Sequence, residues 1–244
     1  MMCMCWWKAV YDAYAGGVTG FTVRRMDVGS GEWLLFNYKI SSVKPFMKNP
    51  VLAYMRGHSI YVDRTGAVIP VDQPFTKFFN VFEWDEMLGK NRSTCVDAVY
   101  VKYDGTLIIC SMFFGEVRCH TRGVFRNVFS EVFNDRFKPL IDKRVFDQYR
   151  TLLFELFVPG IPATDRRHHR YLQEGQGKAV LLAARTWDGE LVKPDEVDLG
   201  RTTGIGVAER VDADSVDGLK RLFTGEFEGF VVWNKQRSIG YGEG

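Results

Sequence analysis

Lys102 is the residue of this chain whose type and placement could do covalent chemistry. It lies in Tyr100-Val-Lys-Tyr-Asp-Gly105, ahead of the strand-forming run Thr106–Phe113. Asp104-Gly105 is a turn signal, so the lysine stands at the mouth of a sheet and not on a helix face. An amine becomes a nucleophile when it loses its proton, which desolvation or nearby cations promote. A surface lysine beside a hairpin turn would share the same K-x-D-G pattern, so the weight falls on the residues that accompany it.

Two carboxylates stand out. Glu155 lies inside the apolar run Thr151-Leu-Leu-Phe-Glu-Leu-Phe-Val158, and Glu228 opens Glu228-Gly-Phe-Val-Val-Trp233. An ionised carboxylate in such a run is costly unless it is paired or hydrogen-bonded, so each marks a site or a structural ion pair. Three basic residues occur at strand ends or among aromatics: Arg56 in Arg56-Gly57, Lys77 in Pro74-Phe-Thr-Lys-Phe-Phe-Asn80, and Arg122 in Thr121-Arg-Gly123. A lysine nucleophile with several cations suits attack on a phosphoryl group, because arginine and lysine hold phosphate oxygens. Carboxylates can bind a ribose hydroxyl or hold Mg2+ through oxygen. The chain has no G-x-x-x-x-G-K-[ST] segment, which argues against a P-loop ATPase. The residue types therefore point to a nucleotide or phosphate site.

Strands must position most of these groups. Trp33–Ile40 reads as a strand, and 56–62 and 67–71 as a hairpin around Asp63-Arg-Thr-Gly66. Residues 98–102, 106–113 and 116–121 form a meander, which predicts an antiparallel sheet. From Val124 the period becomes helical through Val124, Phe125, Val128, Phe129, Val132 and Phe133, and a second helix is expected over 142–149. Strands follow at 151–158 and 178–185, then a hairpin at Trp187-Asp-Gly-Glu190, a helix over 212–223 and a last strand ending at Trp233. The loop 159–176 carries Arg166-Arg-His-His-Arg170, a solvated basic segment with no specific signal. The pattern is α+β, with helices inserted between strands.

Size and charge limit the alternatives. A chain of 244 residues makes one large domain or two small ones. The formal net charge is only +2, so a polyanion must be met by a local basic groove. The five cysteines, at 3, 5, 95, 110 and 119, show no regular framework, and a reducing cytoplasm is the simplest compartment. Cys119 and His120 are poor joint metal ligands, because adjacent strand residues point to opposite faces. No run approaches a membrane span.

Lys102-Tyr-Asp-Gly105 resembles motif I of the covalent nucleotidyltransferases, the superfamily of polynucleotide ligases and mRNA-capping enzymes. Thr121-Arg-Gly123, Phe154-Glu155 and Glu228-Gly-Phe-Val231 resemble its other motifs in the right order. Tyr54-Met-Arg-Gly57, Lys77-Phe-Phe-Asn80 and Ala179–Arg185 followed by Asp188-Gly-Glu190 are similar to phage-type ATP-dependent RNA ligases of the T4 RNA ligase 1 kind. The resemblance runs from about Leu34 to Trp233 and implies an adenylation domain, with antiparallel sheets flanked by helices, over 34–244. Residues 1–33 would be an N-terminal extension packed on it.

The resemblance also implies roles. Lys102 would become lysyl-AMP by attacking ATP. Arg56, Lys77 and Arg122 would contact phosphates or the adenylate, with Glu155 on the ribose. Asp104 and Gly105 would shape the turn, and Glu228 would help hold Mg2+. The partners would be RNA ends bearing a 5′-phosphate and a 3′-hydroxyl, tRNA among them, in the cytoplasm of a host cell if the chain is virus-encoded. The family's motif V, a K-x-K strand, has no counterpart, since Lys235-Gln-Arg237 has the wrong form. The expectation is a chain cut before motif V and without the C-terminal specificity domain. The alternatives are a DNA ligase, a capping-type enzyme, or a catalytically impaired RNA-binding accessory protein.

Overall fold

A computed structural model describes residues 6–40, 42–79, 96–158, 177–200, 204–213, 218, 219, 222 and 229–234. Helix α1 (Trp6–Ala15) precedes β1 (Phe21–Asp27) and β2 (Gly31–Tyr38). A short helix α2 (Lys44–Lys48) and a 3-10 turn (Pro50–Tyr54) lead into the hairpin β3 (Arg56–Asp63) and β4 (Val68–Asp72). These strands make an antiparallel sheet in the order β1-β2-β3-β4. Its β2 spans position 33, and β1 pairs with it from Phe21 opposite Tyr38 to Asp27 opposite Glu32. Val10, Leu34, Phe36, Phe46, Leu52 and Ile60 form the core between this sheet and the helical segments over it.

The second sheet contains β6 (Thr106–Phe113), β7 (Glu116–Thr121), β8 (Tyr149–Phe157), β9 (Lys178–Thr186) and the short β10 (Leu191–Val192), in the order β10-β9-β8-β6-β7. A further strand, β11 (Ile205–Val207), joins β9 in parallel, and the other pairings are antiparallel. This sheet is buried on both faces, which is why β8 reads as a continuous apolar run. Strand alternation divides it. Leu152, Phe154 and Leu156 face the main core with Phe133 and Phe146, while Leu153 faces the other way with Ile109 and Phe75. Glu155 shares the parity of Leu153, so its carboxylate is carried on the face turned away from the main core.

Two helices differ from the periodic pattern. Helix α3 spans Val128–Arg136, four residues later than expected, because Asn127 caps it. The Asn127 side chain accepts from the Ser130 amide and the Ser130 hydroxyl accepts from the Asn127 amide, a reciprocal cap that fixes the start. Phe125 is left in the preceding turn and packs on Trp33. The expected helix at 142–149 is a 3-10 turn, Lys143–Asp147, after which β8 takes Tyr149. The helix expected over 212–223, the basic loop at 166–170, Cys3, Cys5, Cys95, Glu228 and Lys235–Arg237 lie largely or wholly outside the described residues.

Cys110 and Cys119 form a disulfide between register partners of β6 and β7. The cysteine spacing showed no framework because strand register, not a motif, creates this pair. Cys119 and His120 do take opposite faces. Cys119 joins the main core, whereas the His120 ring meets Trp33 and Phe125.

Candidate nucleotide site at the seam of the sheets

Lys102 is the last residue of β5 (Val96–Lys102), which belongs to neither large sheet. Strand β12 (Gly229–Asn234) pairs with it, placing Gly229 opposite Lys102. On the other side, Val101 N–H donates to the Glu209 carbonyl and Val211 N–H to the Val99 carbonyl. The Tyr100 hydroxyl donates to Asp195 at 2.5 Å, and Lys193 pairs with Asp97 at 2.8 Å, so side chains also anchor this strand. Glu228 precedes Gly229 in the chain but lies outside the described residues.

The three residues after Lys102 bring the chain from β5 into the second sheet. There the Gly105 N–H donates to Glu155 Oε1 at 2.8 Å. A Cβ on residue 105 would stand 2.7 Å from the Leu156 carbonyl oxygen and 3.0 Å from Glu155 Cγ. The glycine of K-x-D-G is therefore required by the approach of the Glu155 strand. Glu155 is 8% exposed, and the hydrogen bond from Gly105 offsets part of the cost of burying it.

The first sheet supplies the facing groups. Gly57 has φ +88°, and a Cβ there would lie 2.6 Å from Ile109 Cδ1 and 3.2 Å from Arg122 Cα. This glycine lets β3 close onto the turn that follows β7. Arg56 thereby comes near Tyr38, Arg122 and Glu155. Burial pushes the Arg56 guanidinium below its ordinary value, Tyr38 opposes that, Arg122 pushes it further down, and Glu155 pulls it back. Its Nη1 has no hydrogen-bond partner among the described residues. The guanidinium lies 5.2 Å from the Phe78 ring centroid, and that of Arg122 lies 5.6 Å from the Tyr38 ring. Lys77 donates to the Phe78 carbonyl at 2.9 Å and lies over Phe79.

Gly105, Glu155, Arg56 and Arg122 are thus gathered at the seam of the sheets, with Lys77 beside Phe78. Lys102 and Asp104 occupy the approach to Gly105. Asn37, Tyr38 and Phe78 were missed in the sequence. The amide of Asn37 lies 3.3 Å from where a Cβ on Gly123 would be, and its Oδ1 is buried with no partner among the described residues. The signal available was their position: Asn37 and Tyr38 end a strand whose neighbour opens with Arg56, and Asn37 pairs with Arg56 in register. Among the described residues no cluster of three metal-binding side chains occurs. No helix among them is long and apolar enough to cross a membrane.

The α+β architecture, antiparallel sheets flanked by helices, is that of the nucleotidyltransferase and ATP-dependent ligase adenylation fold. Solved structures with this fold include a putative ATP-dependent DNA ligase from Aquifex aeolicus, at TM-score 0.58 and 18% identity, covering 92% of this chain and 58% of that one. An archaeal ATP-dependent RNA ligase matches in two forms, at TM-scores 0.56 and 0.57 and 16% identity, covering 93% of this chain and 58% of each. The chain thus spans somewhat over half the length of the ligases it matches. No protein-family model and no curated protein sequence matches the chain.

Proposed function

We propose that the chain is the adenylation unit of an ATP-dependent RNA ligase. The observation that carries this reading is the hydrogen bond tying the lysine turn to Glu155 beside two facing arginines. Such a cationic seam, with Arg56 short of an acceptor among the described residues, favours a polyanion.

In this reading the Lys102 amine attacks the α-phosphorus of ATP, forming a phosphorus–nitrogen bond as the bond to pyrophosphate breaks. Arg56, Arg122 and Lys77 hold phosphate oxygens, and Glu155 accepts a ribose hydroxyl while the Gly105 amide steadies it. Asp104 and Gly105 shape the turn that presents the amine. The 5′-phosphate of an RNA end then takes AMP from Lys102, restoring the amine, and a 3′-hydroxyl displaces AMP to form a phosphodiester. Glu228 is the residue assigned to Mg2+, which would neutralise the phosphates and favour departure of pyrophosphate. The RNA assignment and a viral source rest on the segments Tyr54–Gly57 and Lys77–Asn80 and their resemblance to phage-type enzymes.

Intact-mass measurement after incubation with ATP and Mg2+ tests the reading. One added AMP is expected in the natural chain and none in Lys102→Ala; an adduct that persists in the variant places the nucleophile elsewhere. Labelling by GTP and not ATP would favour a capping-type enzyme. Joining of nicked DNA in preference to RNA ends would favour a DNA ligase.

A further inference from the structure

A second buried polar cluster lies where the sheets meet, outside the proposed set of nucleotide contacts. Ser59, Asp72 and His120 are fully buried, and Trp33 is 2% exposed. Trp33 Nε1–H donates to Ser59 Oγ at 2.7 Å, and the Ser59 hydroxyl donates to Asp72 Oδ2. His120 Nε2 meets the same Oδ2 at 2.8 Å, and His120 Nδ1 lies 2.8 Å from the Thr121 carbonyl oxygen. A carbonyl only accepts, so Nδ1 carries the hydrogen of that contact.

The direction of this chain matters. It begins in the first sheet, crosses to β7, and ends on the carbonyl of the peptide linking Thr121 to Arg122. Thr121 in turn closes the following turn, donating through its amide and its hydroxyl to the Val124 carbonyl, each at 3.2 Å. Phe125, from that turn, packs on both Trp33 and His120 and seals the cluster. Arg122 lies between the Tyr38 ring and Gly57, so a small rotation of its peptide would misdirect the guanidinium.

We propose that Asp72 and His120 are positioning residues, a latch that fixes the Thr121–Arg122 peptide and so aims Arg122 at the phosphates of the bound nucleotide. The latch rests on the nucleotide-site reading above. Neither residue touches the nucleotide, and neither belongs to the segments that resemble ligase motifs.

The test is a double-mutant cycle read by ATP affinity in the full chain, with melting temperatures recorded for each variant. Asp72→Asn is expected to weaken ATP binding by about tenfold, since small misplacements of a positioning group have large effects. In an Arg122→Ala background the same change is expected to add less than about twofold, because residues acting through one another are not additive. A further tenfold loss in that background overturns the latch. Should Asp72→Asn fail to fold, His120→Asn and His120→Ala replace it. The asparagine amide keeps a donor where Nδ1 stood, so it should recover part of the affinity lost with alanine; equal losses overturn the latch. A natural chain that binds ATP without forming an adduct sinks the ligase reading but leaves the cycle decisive. One that does not bind ATP overturns both.

Discussion

Two histidines, both fully buried, sit in opposite circumstances. His120 has an acceptor at each ring nitrogen and belongs to a chain of hydrogen bonds that crosses between sheets. His58, on β3, has no hydrogen-bond partner at either nitrogen among the described residues. The Trp6 and Tyr54 rings stand edge-on to it, at 4.8 and 5.7 Å between centroids. Burial above all, then the positive charges of Arg185 and Arg56, hold its pKa well below the usual histidine value. Equal burial thus gives one histidine that organises its surroundings and one that is merely enclosed. Partner geometry, not depth, separates them.

The largest effect should come from removing the first. His120→Phe leaves the Asp72 carboxylate buried without its cross-sheet partner, and the expected loss is about 3–5 kcal/mol in denaturant unfolding near neutral pH. An intermediate effect, dependent on pH, is expected at His58. The unfolded chain protonates this residue below about 6.5, whereas the folded chain takes the proton only well below that. As pH falls through that window the unfolded state binds the extra proton, and stability should drop by about 1.4 kcal/mol per pH unit. His58→Phe should cost little at neutral pH, because it removes two unsatisfied nitrogens, and it should flatten the acid slope. Unfolding curves at several pH values between 5 and 7.5 would check this; an unchanged slope would mean that His58 charges freely in the fold. Smallest of all is the exposed pair Arg144–Asp142, where Asp142→Asn should leave the melting temperature unchanged within error.

The same contrast explains what the sequence disclosed. Glu155 was legible because a charged residue interrupts an apolar strand, and the glycines beside Lys102 and Arg56 mark close backbone approaches that the structure shows. His120 and Asp72 were not legible as a pair. They lie on strands of different sheets, and neither interrupts a hydrophobic pattern in a telling way. Tyr38 was equally hidden, since a tyrosine ending a strand is unremarkable until Arg56 and Arg122 are brought to it. The start of α3 was misplaced because Val124 and Phe125 continue the helical period, while the Asn127–Ser130 cap decides where the helix begins.

The strand that ends in Lys102 has a consequence for synthesis. One edge of β5 is covered by residues 209–211 and the other by β12, both made long after the lysine itself. A ribosome can therefore release the two large sheets before Lys102 has its flanking strands. The lysine should acquire its final setting late, when residues 229–234 have emerged, and an adduct of the kind proposed above should form only from that length onward. Pulsed adduct formation on stalled chains of increasing length would time that moment.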